Sequence, residues 1–318
     1  MKTILLFLFA PVFVFSQPVV NNFPSLSLHG AARGWGMGDA GIASAAGGQA
    51  LNYNVAATAF TQYFHTTSAS YIPWMRELND DAKFMRVDYL GSISNTSSFG
   101  IAINYLDLGN VAIRNEYGAT LGLYRSSEFN IGGSYALRLG ERAALGTTMR
   151  LIGSRYFEEG TVNRYSVCGD IAYYQSADLN EGAKLQWGAT INDLGPAINL
   201  PTTAAIGIGY LLHDQSNNQY SICLDASRPF TDKSIRINAG VEYGYDEQFF
   251  LRGGLSLEAA DKGNRKFFSF GAGYKGIVSD QTWGLDIFYL VPFGVKAVQS
   301  PFQNTIGLTL SLNIGNFQ

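Results

Sequence analysis

Residues 304–314 read NTIGLTLSLNI, and this stretch carries the pattern that decides the fold. One face of the segment carries Ile306, Leu308, Leu310, Leu312 and Ile314, and the other carries Thr305, Gly307, Thr309, Ser311 and Asn313. Successive side chains of a β-strand point to opposite sides, so strict alternation predicts a strand with one apolar face. Residues 128–139 and 234–243 repeat the pattern.

About fourteen segments alternate in this way between residue 62 and the end of the chain. They are residues 62–72, 83–93, 98–107, 128–138, 143–154, 163–175, 185–193, 203–212, 219–228, 234–244, 248–258, 266–276, 281–290 and 303–313. Residues 117–124 are assigned to a loop, because bacterial single-chain barrels take even strand numbers. Only 15% of residues are charged, against roughly 25% in soluble domains. The pattern predicts an all-β, antiparallel transmembrane barrel over residues 62–318.

The connections alternate in length, as in outer-membrane barrels. Those expected outside include the long stretches 73–82, 108–127, 155–162, 194–202 and 291–302, and those expected inside include the short stretches 94–97, 139–142, 245–247 and 277–280. Aromatic residues near the strand ends suit interface girdles. A soluble β-sandwich or lipocalin-like barrel is the alternative, but no second apolar layer is evident to cover its apolar faces.

Residues 1–16 are predicted to form a secretory signal peptide. Lys2 precedes an apolar run from Ile4 to Phe15, and cleavage is expected near Ser16 and Gln17. A transmembrane anchor is the alternative, although the run is shorter than the ~20 residues that a spanning helix needs. We therefore expect an integral outer-membrane protein with outer-membrane lipid as a partner of its wall. Residues 17–61 are expected to form an N-terminal periplasmic segment and a plug.

The predicted plug is the Gly- and Ala-rich stretch RGWGMGDAGIASAAGGQALNYNVAATAF, residues 33–60. Its small side chains permit close backbone contact and leave little for a separate core. Asp39 is expected to cap a helix over Ala40 to Ala46, and Asn54 to begin a further turn. A phosphate-binding loop is the alternative, but no strand precedes GWGMGDAG and no Lys-Ser/Thr follows it. The plug candidates are Arg33, Gly36, Gly38, Asp39 and Asn54.

Charges of both signs fall on the polar phase of the strands. The lumen candidates are Arg86, Asp88, Arg150, Asp170, Arg236, Glu242, Arg252 and Asp286. We expect ion pairs that brace the barrel and hold the plug; a permeation path or catalytic carboxylates are the alternative. Cys168 and Cys223 are expected on strands too far apart for a disulfide, as free thiols facing the lumen.

Little in the sequence points to catalysis. The three histidines show no metal-ligand spacing, and no G-x-S-x-G motif occurs. The net charge of −3 provides no basic stripe for nucleic acid. We therefore expect no enzyme activity, cofactor, metal or nucleic-acid partner.

Four local patterns resemble the PorV/PorQ family of Bacteroidota outer-membrane proteins, and PorV more closely. They are Ala32-Arg33 with GMGDAG at 36–41, YIPWMR at 71–76, NDLGP at 192–196 with Leu200-Pro201, and VPF at 291–293 with PFQNT at 301–305. One departure is Tyr53-Asn54-Val55-Ala56, where the family has Trp-Asn-Pro-Ala. The outer loops also look short for a PorV-like protein. The resemblance implies a FadL-like barrel of fourteen strands with an N-terminal plug.

The resemblance also implies a role in type IX secretion, as a barrel that docks on the large outer-membrane translocon and binds or shuttles secreted cargo through C-terminal signal domains. The partner-binding candidates in the outer loops are Trp74, Arg76, Pro196, Phe293 and Phe302, since aromatic and Arg anchors usually dominate interfaces. The alternative is that they are only girdle and loop-packing residues. The alternative function is FadL-like transport of hydrophobic small molecules, which predicts an apolar pocket beside the plug and a lateral opening in the wall.

Overall fold

Fourteen antiparallel strands close a barrel in the part of the chain that the structure, a computed structural model, describes. That part is residues 23–77, 79–157, 161–179, 182–197, 200–231, 234–259, 265–294 and 300–316, so the predicted signal peptide lies outside it. The strands are β1 Tyr63–Ile72, β2 Lys83–Ser94, β3 Ser97–Arg114, β4 Thr120–Arg138, β5 Ala143–Phe157, β6 Thr161–Asp178, β7 Ala183–Leu194, β8 Thr203–His213, β9 Gln219–Pro229, β10 Arg236–Tyr245, β11 Phe249–Glu258, β12 Phe267–Val278, β13 Gln281–Pro292 and β14 Ile306–Asn316. The predicted fold class is confirmed.

The strand that decided the prediction also closes the barrel. β14 pairs with β1, and the register sets Ser68 opposite Ser311 and Ser70 opposite Thr309. Ser68, Ser70 and Thr309 are buried in the lumen, whereas Leu308 and Leu310 point outward and are exposed. In a closed ring the backbone N–H and C=O groups of each strand pair with those of its neighbours. This pairing is required where no water can bind the backbone.

The two ends of the barrel differ. At one end, called the turn end, strands are joined by residues 95–96, 139–142, 179–182, 214–218, 246–248 and 279–280. At the other end, called the loop end, they are joined by residues 73–82, 115–119, 158–160, 195–202, 230–235, 259–266 and 293–305. The longest connections therefore collect at one end, as the sequence predicted.

Two loops predicted at the loop end are shorter in the structure. Residues 155–162 reduce to 158–160, because β5 extends to Phe157 and β6 begins at Thr161. Residues 108–127 were expected to form a loop, but β3 continues to Arg114 and β4 begins at Thr120. A register shift follows Asp107, where Gly109 has a φ of +74°, and Val111 to Ile113 then pair with Gly122 to Tyr124. The bulge breaks the alternation along β3, which hid the strand. Residues 108–126 form what we call the projecting hairpin; Leu121 and Leu123 on it are exposed.

Residues 23–60 lie inside the barrel and contact lumen-facing side chains; we call them the plug. They contain one short helix, α1 Ala32–Gly36, and the 3-10 helices Pro24–Ser27, Gly47–Asn52 and Val55–Phe60. Among the described residues, every helix is too short to span a bilayer. Phe23 packs near the loop end with Ile152 and Leu200. Phe60, at the other limit of the plug, packs near the turn end against Tyr174.

The expected helix over Ala40 to Ala46 is absent, since these described residues form turns. An N-cap residue needs an extended backbone, but Asp39 has a φ of +64°. The amides that a cap would satisfy have another acceptor, because Gly41 N and Ile42 N both donate to Asp225 on β9. The expected turn after Asn54 is present, and the Asn54 side chain accepts a hydrogen bond from Ala56 N.

Candidate functional site: the plugged lumen and the loop end

A buried chain of four charges joins the plug to the wall. Arg33 of α1 donates two hydrogen bonds to Glu242 on β10, at 2.8 and 2.9 Å. Arg252 on β11 lies 2.5 Å from Glu242 and 2.7 Å from Asp286. Burial alone would lower the pKa of Arg33, but the charge of Glu242 outweighs it and holds that pKa above its ordinary value. The alternating signs compensate one another inside the lumen.

The remaining predicted lumen charges are also paired. Arg86 lies 2.6 Å from Asp88, and Arg236 lies 2.6 Å from Glu258. Arg150 binds Asp170 and also Asp193, the latter at 2.9 Å. Arg86 additionally donates to the backbone oxygen of Leu51 in the plug, at 3.2 Å. The geometry therefore matches an ion-pair network that holds the plug.

Two glycines of the plug lie where a side chain would not fit. A Cβ on Gly36 would stand 3.1 Å from the Cα of Gly271. Gly38 has a φ of +73°, and a Cβ there would stand 2.5 Å from Leu255 N. These positions let the plug backbone pack directly on the wall.

Asn54 holds two segments together. Its Nδ2 donates to Ile42 O within the plug and to Tyr173 O on β6, both at 2.9 Å. These bonds come from the side chain, so they anchor this turn to the wall although the family's proline is replaced by Val55.

Asp39 lies at the centre of a polar cluster inside the plug. Tyr53 donates a hydrogen bond to Asp39 at 3.0 Å, and His29 Nδ1 lies 2.8 Å from the same carboxylate oxygen. The His29 and Tyr53 rings are in contact, with centroids 4.3 Å apart. Burial, reinforced by the charge of Asp39, raises the pKa of Tyr53 well above its usual value. Tyr53 therefore stays protonated and keeps donating to Asp39 at physiological pH.

An aromatic cluster near the loop end encloses Trp35 of α1. Trp35 is 1% exposed, and its ring centroid lies about 6 Å from those of Trp74, Phe267, Phe288 and Phe302. Its indole nitrogen donates to His29 O. The cluster joins the plug to the first and last loops, and burial of this much aromatic surface is strongly stabilising.

The partner-binding candidates divide into two groups. Trp74 and Phe302 belong to the aromatic cluster and are buried. Arg76 and Pro196 are exposed, and Phe293 is partly exposed and stacks on Phe268 with centroids 4.6 Å apart. The structure thus places two candidates in loop packing and leaves three accessible.

Three cavities inside the lumen are small and are lined by both polar and apolar side chains. Two of about 50 and 60 Å³ both border His29, Tyr53 and Asp193. A third of about 200 Å³ opens at the turn end beside Arg33, Glu242 and many hydroxyl and amide groups. An apolar hollow of about 620 Å³ lies on the outer wall. None of these three lumen cavities is the large apolar pocket expected of a transporter beside the plug.

No metal-binding group occurs among the described residues, where no three His, Cys, Asp or Glu side chains converge suitably. Cys168 and Cys223 are free and buried. The Cys168 Sγ faces Asp193, and Cys223 packs on Met37 of the plug. The prediction of two lumen-facing free thiols is confirmed.

Sequence reasoning missed Trp35 and His29. The signal for Trp35 was present, because a Trp flanked by glycines in a Gly- and Ala-rich stretch has no large neighbours in that stretch and must pack against apolar residues elsewhere. The His29–Asp39–Tyr53 cluster left no such signal. Its side chains come together inside an irregular segment, where the sequence shows no periodicity.

A family model described as "Type IX secretion system protein PorV" matches residues 16–223. No curated protein sequence is similar enough to the chain to count as a match.

Solved structures share the fold at low sequence identity. The toluene transporter TbuX of Ralstonia pickettii superposes with a TM-score of 0.60 at 12% identity, covering 93% of this chain and 100% of that one. A FadL homologue of Pseudomonas aeruginosa gives 0.54 at 10% identity, covering 90% and 97%. The toluene transporter TodX of Pseudomonas putida gives 0.55 at 11% identity, covering 90% and 97%. At such identities the likeness concerns the barrel alone.

Proposed function

Because this chain belongs to the PorV family of the type IX secretion system, we propose that it is a non-enzymatic partner barrel of that system. It is an integral outer-membrane protein with a FadL-like fold. In the proposal it docks on the large translocon barrel and binds or shuttles secreted cargo that carries C-terminal signal domains. The family match is the observation that carries the proposal.

The plugged lumen supports a docking role. The plug is held at one end by the Trp35 cluster and across the lumen by the Arg33–Glu242 pair. Removing one partner of a buried ion pair costs free energy, so these contacts favour the state in which the plug stays in the lumen. A protein that works through its outer surface and loops does not need an open lumen.

The loop end offers the surface for such docking. The projecting hairpin exposes 69% of Leu121 and 71% of Leu123 beyond the rim, and Arg76, Pro196 and Phe293 are accessible in the loops. Apolar side chains exposed in water are expected to mark an interaction site when they are grouped. In the proposal this end faces outside, and Trp74 and Phe302 support the loops from below.

A mild-detergent pulldown of the tagged protein from its native membrane, followed by mass spectrometry, tests this function. We expect a very large outer-membrane barrel, with or without signal-bearing cargo. Replacing Leu121→Ser and Leu123→Ser should reduce that recovery. The matched control replaces Ile277→Ser and Val278→Ser, which are 77% and 62% exposed at the turn end. Recovery of the barrel with no protein partner would contradict stable docking.

Transport of hydrophobic small molecules is the second candidate, because the fold is that of the toluene transporters. Its support ends with the fold, since two lumen cavities measure only about 50 and 60 Å³ and the third, about 200 Å³, is lined by charged groups as well as by Phe250. An uptake assay with a labelled hydrocarbon, comparing cells with and without the protein, separates the two candidates. Uptake that depends on the protein, together with an empty pulldown, would favour transport.

A further inference from the structure

The cavity at the turn end lies between the plug and the wall. It measures about 200 Å³ and is bordered by Gly47, Gly48 and Gln49 of the plug and by lumen-facing residues of several strands. A Cβ on Gly47 would meet no heavy atom within 4 Å, so the plug leaves open space on this side. The volume lies below the range of about 300–1,000 Å³ for drug-sized ligands. It suits a molecule the size of a single sugar ring.

The charged side chains around this cavity do not compensate one another completely. Among the described residues, those that line it are Arg33, Arg252, Lys275, Glu242 and Asp286. Three cations therefore face two carboxylates, which leaves one positive charge in excess. Because Arg33 and Arg252 are bound to the two carboxylates, the excess charge is that of Lys275.

Lys275 of β12 lines the cavity and forms no ion pair with a described residue. Its ammonium lies over the Phe250 ring, 4.6 Å from the centroid, and the Arg252 guanidinium lies 5.4 Å from the same centroid. The ring thus holds the ammonium in position by a cation–π contact. The adjoining turns 246–248 and 279–280 carry acidic side chains, but these are exposed to water, where salt screens their charge.

The remaining polar groups around the cavity suit a ligand with hydroxyl groups. Besides the charged residues, the lining includes Ser221, Ser311, Gln186 and Gln219. The amide nitrogen of Gln186 donates to Tyr174 and that of Gln219 donates to Glu242, so the amide oxygens remain to accept hydrogen bonds. A serine hydroxyl can both donate and accept. Ligand hydroxyls, which also do both, match this wall.

We propose that this cavity binds a small hydroxylated monocarboxylate, of the sugar-acid class, with its carboxylate on Lys275 and its hydroxyls on the surrounding amide and hydroxyl groups. A hydrogen bond between an ammonium and a carboxylate is charge-assisted and therefore strong. The proposal takes the turn end as the periplasmic end, the orientation of the proposed function, but it does not depend on translocon docking.

The charges of the cavity disfavour two other classes of ligand. A phosphate monoester carries about −1.5 to −2 charges at neutral pH, which exceeds the single excess cation, and Glu242 and Asp286 would repel it. An apolar ligand would displace water from the Lys275 ammonium without replacing its hydrogen bonds, which costs free energy. A single negative charge is the one that the cavity compensates.

Isothermal titration calorimetry of the purified full-length protein tests the proposal. A polyoxyethylene detergent is used, because it has no sugar headgroup that could compete. The probes are glucuronate, its uncharged amide glucuronamide, and acetate. We expect glucuronate to bind about tenfold more tightly than the other two, because it alone combines the charge with the hydroxyls. Equal binding of glucuronate and either of the others, or no glucuronate binding at millimolar concentration, would overturn the proposal.

Variants of Lys275 test the site itself. Lys275→Met should weaken glucuronate binding about tenfold and remove the preference over glucuronamide, whereas Lys275→Arg should retain most of it. The control is Lys184→Met, because Lys184 lies near the turn end outside this cavity, 3.7 Å from Asp178. Heat-modifiable migration on gels verifies that each variant folds. Equal losses in Lys275→Met and Lys184→Met would contradict the assignment.

A second variant tests the hydroxyl contacts without changing any charge. Gln186→Leu removes an amide oxygen from the cavity, so it should weaken glucuronate binding several-fold and leave acetate binding unchanged. An equal effect on both probes, or no effect on glucuronate, would overturn the sugar-acid assignment. Because the readout is ligand binding to the purified protein, failure here is distinguishable from failure of the docking function.

Discussion

Glu242 is bound by two arginines, Arg33 of the plug and Arg252 of the wall, with only 1% of its side chain exposed. Glu242→Ala leaves two buried guanidinium groups without their shared carboxylate. We expect a loss of about 3–5 kcal/mol in stability, because an uncompensated buried charge is costly. Thermal or urea unfolding in detergent measures the loss.

The control for that variant is Glu247→Ala. Glu247 lies near the turn end and faces His213 at 3.9 Å, with 57% of its side chain exposed. Exposed ion pairs contribute about 0–1 kcal/mol, so this variant should unfold like the wild type. Equal losses of stability in the two variants would show that burial of the Glu242 network does not increase its contribution to stability.

The identity of the charged residues in the lumen was predictable, but their pairing was not. Arg86, Glu242 and Arg252 fall on the polar phase of their strands, and that phase is readable from alternation alone. Which carboxylate meets Arg33 depends on where the plug lies across the lumen, and no local pattern records it. The same holds for Asp39, which binds His29 and Tyr53 instead of capping a helix.

At the scale of elements, Trp35 anchors α1 in the aromatic cluster, in addition to the Arg33–Glu242 pair. Trp35→Ala removes the centre of the aromatic cluster. Losing a buried Trp side chain costs about 3–5 kcal/mol of stability. Because the cluster holds the plug rather than the strands, we expect faster protease cleavage within residues 23–60 while the barrel stays folded. Limited proteolysis with mass-spectrometric mapping measures this.

Trp187→Ala is the comparison for that experiment, since Trp187 is 43% exposed on the outer wall and belongs to β7. It should leave cleavage of the plug unchanged. If Trp35→Ala also leaves the cleavage pattern unchanged, the aromatic cluster does not retain the plug.

The strands were predictable because alternation is local and repeats in every strand. The errors fall where that regularity stops. A bulge after Asp107 disguised the projecting hairpin, and residues 40–46 are not helical because Asp225 on a distant strand accepts hydrogen bonds from the amides of Gly41 and Ile42. Helices as short as α1 derive their stability from tertiary packing, which sequence periodicity does not report.

At the scale of the whole molecule, barrel and plug are expected to be separable. Every neighbouring strand pair is hydrogen-bonded around the ring, so deletion of residues 23–60 should leave a folded barrel with an open lumen. We expect ion conductance in planar bilayers to rise well above that of the wild type, while the pulldown partner is retained. A partner lost together with the plug would instead place the docking surface on the plug.

The path of the plug has a consequence for biogenesis. Its segment near Phe23 contacts the wall near the loop end, Phe60 lies near the turn end, and β1 follows immediately. β1 is also the strand that closes the ring with β14, the last strand made. Laying the plug into the curling sheet before β1 and β14 pair would spare it from threading into a finished ring. The closed barrel then encloses the segment that precedes its first strand.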